Sequence, residues 1–217
     1  MTCVSMARLV LGLGLGLTVC ALAPDSMAAS KLCGPIQNSF GPFDYTLAAN
    51  AVSLATVEPY HFTDEVEQGV RGATGPLGGD LDYTLRAFPN HARALATMGR
   101  IGVRDKVMQV PGAKYPVECY FVRALEFVPD DAAVHAAYGS YLMALGKLQP
   151  ALERLRQAVL LAPDNATYNY NLGLLYFRLK DYDHANDHAA RAYTAGFPLP
   201  GLRQLLTTAG QWRAPVP

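Results

Sequence analysis

The chain carries no net charge: 18 Lys and Arg stand against 18 Asp and Glu over 217 residues. General nucleic-acid binding needs a basic surface, so that class is set aside. Runs of β-branched residues are scarce while Ala, Leu and Tyr are plentiful, which argues for an all-α fold. No Cys-x-x-Cys pair occurs, which removes the usual dithiol redox chemistry. Gly72 to Gly79 is rich in glycine but lacks the Gly-Lys-Ser/Thr ending and the preceding strand of a phosphate loop. His184 and His188 have a spacing that chelates metals. Ala185 stands where a metalloprotease carries its Glu, so solvated surface histidines are the expectation. No constellation of Ser, Cys or carboxylates assembles a catalytic site, and Ser140 and Cys119 have no base partner along the sequence. No catalytic residue, cofactor or metal is therefore assigned.

A membrane-length apolar run is also missing. Leu9 to Ala23 is apolar over 15 residues, short for a span. Arg8 precedes it, and Ser26-Met27-Ala28 supplies small residues at the spacing a signal peptidase reads. Residues 1–28 are read as a cleaved secretory signal, which predicts a periplasmic or secreted protein with no integral span afterwards. The alternative is an uncleaved membrane anchor. Leu17-Thr18-Val19-Cys20 resembles a lipoprotein box, but Val19 is large for the position before the cysteine. Cleavage would remove Cys3 and Cys20 and leave Cys33 and Cys119. In an oxidising compartment these two are expected to form a disulfide, the alternative being two separate buried thiols.

What the sequence does have is a repeat. Gly139 recurs as Gly173, Ala151 as Ala185 and Ala158 as Ala192, each 34 residues on. Tyr138 is matched by Leu172, and Leu142 by Tyr176. Within the first unit Ala151, Ala158 and Pro163 follow Gly139 by 12, 19 and 24 residues. Small residues at these positions let two antiparallel helices approach, and Leu155, Leu175 and their neighbours fill the gaps. Leu145-Gly146-Lys147 and Leu179-Lys180-Asp181 fall where each hairpin turns. Pro163 ends the second helix, and Asp164-Asn165 cap the next.

This pattern resembles the tetratricopeptide repeat (TPR), a helix–turn–helix unit that stacks into a superhelix. The resemblance implies a right-handed α-solenoid of about four hairpins, over residues 63–91, 92–131, 132–165 and 166–198, with a cap at 199–212. Pro89, Pro129 and Pro163 precede Gly99, Gly139 and Gly173 by ten residues each, which sets the register. The second repeat is longer by six residues, placed in Val107 to Pro116; its second helix is expected at Val117 to Phe127. In the first repeat Thr63 is expected to cap a helix at Glu65 to Arg71, with a second helix at Asp80 to Phe88. Residues 29–62 read as an irregular segment lying on the solenoid, with a short helix within Leu47 to Val57. It either fills part of the groove or, as favoured, covers the apolar end of the first hairpin. Phe197 replaces the repeat's terminal proline. Leu202, Leu205, Leu206 and Trp212 are expected to close the far end, and the tail 214–217 to be disordered.

In that family the first helix of each hairpin lines a concave face that binds proteins. The resemblance thus implies contact stripes at Arg93, Thr97, Arg100 and Arg104, at Ser140 with Met143 alongside, and at Thr167, Asn171, Leu174 and Arg178 with Tyr170 and Phe177 alongside. Alanines 133, 137 and 144 would floor the middle. The expected partner is a protein or peptide, acidic in preference because the arginines can pair with carboxylates. Asn171 alone matches the carboxylate-clamp subgroup plainly. The implied function is a non-enzymatic scaffold of the cell envelope. A periplasmic chaperone and an enzyme acting on envelope polymers are the alternatives, and self-association through the solenoid ends is a further mode.

Overall fold

The computed structural model describes residues 33–213; the segment expected to be a signal, Cys3, Cys20 and the tail 214–217 lie outside them. Among the described residues there are eleven α-helices and no strand. A 3-10 turn, Ala48–Asn50, leads into α1 (Ala51–Ala55), followed by α2 (Glu58–His61), α3 (Asp64–Gln68) and α4 (Leu77–Ala87). Then come α5 (Ala92–Asp105), α6 (Val117–Phe127), α7 (Ala132–Ala144) and α8 (Leu148–Leu161). The chain closes with α9 (Ala166–Arg178), α10 (Tyr182–Thr194) and α11 (Gly201–Thr208). Helices α3/α4, α5/α6, α7/α8 and α9/α10 form four successive hairpins of an α-solenoid, and α11 packs on the last. No described helix is long and apolar enough to cross a membrane.

The hairpins end and restart by one local rule. The residue before a proline is pushed out of the helical region. Phe88, Val128 and Ala162, each just before a proline, have left the helical region at ψ 83°, 89° and 76°. The next helix is then capped by a side chain: His91 accepts from Ala94 N, Asp131 from Ala133 N and Val134 N, and Asn165 from Thr167 N and Tyr168 N. Six residues past the proline, a side chain in α7 and α9 reaches back to its carbonyl. His135 Nε2 lies 2.9 Å from Pro129 O, and Asn169 Nδ2 donates to Pro163 O at 2.7 Å. Leu95 holds that position in α5 and is fully buried instead.

Gly139 and Gly173 mark the closest helix approaches. A Cβ on Gly139 would sit 2.6 Å from Leu155 Cγ, and one on Gly173 2.6 Å from Leu202 Cδ2. One apolar core runs from Phe62 to Leu206, with Trp212 packed at its end. A smaller cluster of Val57, Ala87 and Phe88 receives Phe40, Phe43, Tyr45 and Leu54.

The segment before α3 is strapped along the outer helices. Cys33 and Cys119 are joined by a disulfide, Cα–Cα 5.0 Å. Arg123, one turn further along α6 and only 1% exposed, donates through Nη1 to the carbonyls of Cys33, Gly34 and Pro35. Asn38 accepts from Arg86, Phe43 N donates to Ala87 O, and Asp44 accepts from Asn90. The strap thus covers the first two hairpins from outside, and its uncharged stretch from Leu47 to Val57 holds the 3-10 turn and α1.

Three local expectations are corrected. Thr63 occupies the N-cap of α3 but makes no capping bond, and its buried hydroxyl has no partner among the described residues. Helix α3 stops at Gln68 rather than Arg71, because Gly69 takes a left-handed φ of 73°. Helix α4 starts at Leu77 rather than Asp80, because Pro76 serves as its N-cap and draws Gly78 and Gly79 into the first turn.

Candidate partner-binding cleft

Helices α5, α7 and α9, the first of each of the last three hairpins, line a cleft of about 590 Å³. Helical spacing of three and four aligns the contributors: Ala92, Ala96, Gly99 and Val103 from α5, and Ala133, Ala137, Ser140 and Ala144 from α7. Ala136, Tyr141, Thr167, Tyr168 and Asn171 complete the floor and far wall, while Arg93 and Arg100 stand at the near end. Small side chains leave the backbone helices as the floor, so the space is wide and largely apolar. Asn171 Nδ2 reaches Ser140 Oγ at 3.4 Å, and Ser140 itself donates to Ala136 O. No described residue of the strap lines the cleft; its attachments run along the outer helices of the first two hairpins.

Five of the expected contact residues come together here, Arg93, Arg100, Ser140, Thr167 and Asn171, with the floor alanines 133, 137 and 144. The others do not line it, for separate reasons. Thr97 is 1% exposed and donates to Glu67 O at 2.9 Å, because α3 lies across that side of α5. Arg104 reaches Gly69 O and its neighbour Asp105. Met143 is buried, and its carbonyl accepts from Arg178, which links α9 to the end of α7. Tyr170 points to the far end of the molecule and stacks on Phe197 at 4.0 Å. Leu174 and Phe177 pack half-buried against the core. The cleft residues missed by the sequence reading are Ala92, Ala96, Gly99, Val103, Ala136, Tyr141 and Tyr168. The α5 members share the spacing of the stripe already read in α7 but sit one residue earlier than the proline register, which pairs Ala133 with Arg93, would place them.

The arginines are already engaged. Arg93 holds Glu67 in a two-point pair, Nε to Oε1 at 2.8 Å and Nη2 to Oε2, with Glu58 Oε1 at 3.6 Å from Nη1. Arg100 donates through Nη2 to Glu67 O and Thr97 Oγ1. The hydrogen bond and charge of Arg93 hold the Glu67 carboxyl below its usual range, and Glu67 in turn raises the Arg93 guanidinium.

Two other motifs resolve into structural roles. The amides of Ala73 and Thr74 in the glycine-rich turn donate to Asp80 Oδ2 at 2.7 and 3.1 Å, so a carboxylate of the chain itself occupies them. Asp181 caps α10, accepting from His184 N and lying 2.7 Å from His184 Nδ1, whereas His188 is half-buried with Nδ1 2.9 Å from Asn169 Oδ1. Both rings stack on Tyr176, and burial pulls His188 down to about 4. His188 therefore departs from the expectation of a solvated surface ring.

The repeat geometry has a counterpart among known sequences. Residues 139–180 match the family described as TPR repeat. No curated protein matches this chain. Solved structures with the same helical-repeat fold include MamA, at TM-score 0.50 and 16% identity over 68% of this chain and 83% of that one. PilF of Pseudomonas aeruginosa is similar at TM-score 0.52 and 19% identity, over 75% of this chain and 69% of that one. At these identities the likeness concerns the fold. The TPR match spans part of α7 and all of α8 and α9, and so includes cleft residues Ser140, Tyr141, Ala144, Thr167, Tyr168 and Asn171. A TPR solenoid is a protein-interaction scaffold whose concave surface is the binding face.

Proposed function

We propose that this protein is a non-enzymatic scaffold of the cell envelope that holds a segment of a partner protein between α5, α7 and α9. The observation that carries the reading is the cleft itself: about 590 Å³, floored by alanines from consecutive repeats. A small-residue floor lets a partner backbone lie close, and apolar walls release water as it docks. The envelope location rests on the signal-like segment 1–28 and on the Cys33–Cys119 pairing, which suits an oxidising compartment. An acidic preference in the partner agrees with Arg93 and Arg100 at the cleft's near end, with the qualification that Glu67 already neutralises that end.

A photocrosslinking residue placed at Ala137 tests this in the protein's own envelope. A discrete partner is expected from Ala137 and none from Leu160, which is exposed on the outer helix α8. Equal capture at both positions, or none at Ala137, overturns the reading. A broad set of unfolded clients from Ala137 would instead indicate a chaperone.

A further inference from the structure

We propose that Glu67 is an internal competitor: it occupies the arginine fork at the near end of the cleft that a carboxylate of the partner would otherwise take. This rests on the cleft as the partner site and adds the chemistry and control of binding. The partner segment would be apolar along its length and end in an acidic side chain or a chain terminus.

The charge distribution leads to that partner. Helix α7 carries no Asp, Glu, Lys or Arg, and the only charged residue of α9 is Arg178. Helix α5 adds Arg93, Arg100 and Arg104, with Asp105 already paired to Arg104. The helices that line the cleft are therefore cationic and otherwise neutral. Their countercharge at the cleft comes from outside it, from Glu67 on α3 and Glu58 on α2. The two-point grip of Arg93 on Glu67 shows the fork already presented in the geometry arginine uses to seize a carboxylate.

Glu67 is also placed to be displaced. Its side chain is 33% exposed and that of Arg93 51%, and pairs this exposed exchange partners at little cost. Helix α3 does not depend on the ion pair for its position. Val66 is fully buried, Thr97 and Arg100 hold the carbonyl of Glu67, and Arg104 holds that of Gly69. The side chain can swing away while the backbone stays. The lowered Glu67 carboxyl remains ionised at neutral pH, so an incoming carboxylate meets it charge for charge.

The test uses two fluorescein-labelled dodecapeptides of Ala, Leu and Gln, one ending in Asp-Glu with a free carboxylate and the other in Asn-Gln amide. Binding to the mature protein is read by anisotropy, with thermal melts to confirm folding. Glu67→Gln is expected to tighten the acidic peptide about threefold and leave the neutral one unchanged. Adding Arg93→Gln should abolish that gain. Equal affinity of wild type and Glu67→Gln for the acidic peptide, or a gain shared by the neutral one, overturns the proposal. If Glu67→Gln does not fold, Glu67→Asp, too short to span the fork, should give a smaller gain of the same sign; no gain counts against it. Binding of the neutral peptide that Ala137→Glu leaves intact would instead remove the cleft reading, and the proposal with it.

Discussion

Single buried rings couple this fold to pH. His135 Nε2 serves Pro129 O while its buried Nδ1 has no partner among the described residues. His91 is fully buried, accepting from Ala94 N and facing Glu58, and His188 serves Asn169. Burial holds all three below the ordinary histidine value, His188 at about 4. They are neutral in the fold, whereas the unfolded chain takes up protons from about pH 6.5 downward. Their contribution is complete above that value and is lost as pH falls below it, for His188 down to about 4. The urea midpoint is expected to drop between pH 7 and pH 5. His135→Asn, which copies the side chain at position 169 and keeps the donor to Pro129 O, should flatten that slope. An unchanged slope would remove His135 as a contributor.

At the scale of elements, the caps and prolines decide where helices begin and end. Asn165→Ala removes the acceptor for Thr167 N and Tyr168 N, and is expected to lower stability by about 1 kcal/mol in chemical denaturation. These boundaries were legible because each depends on neighbours in sequence: α6 runs Val117–Phe127, as read from the proline register. That a segment lies on the solenoid and is tied by Cys33–Cys119 was legible, but its other attachments were not, since they join residues far apart in the chain. Arg123 gives no sign in the sequence that its guanidinium will hold three carbonyls of residues 33 to 35. Likewise nothing local indicates that α3 will lie across Thr97 and take up Arg93.

The whole molecule is closed from two ends, by the strap at the first hairpins and by α11 with Trp212 at the last. The disulfide joins residues 86 apart, and its loop-closure effect is of order 4–5 kcal/mol by the chain-entropy argument, an upper figure. Reductant, or Cys33→Ser with Cys119→Ser, is expected to lower the denaturation midpoint clearly and to loosen hydrogen exchange in residues 33 to 62 first. The last two hairpins should keep their protection, because their packing does not involve the strap. Loss of protection throughout would mean that the strap supports the entire solenoid.

The sequence by itself determined the repeat, its register and the helix ends before Pro89, Pro129 and Pro163, because these follow from spacing, small residues and prolines acting within one or two turns. Only the tertiary structure decided which stripe residues face open space. Helical periodicity gives a face but not what the rest of the chain lays upon it. Tyr170 turned to Phe197, Thr97 went beneath α3, and Arg93 met Glu67 rather than solvent. Those outcomes depend on contacts between segments far apart in the chain.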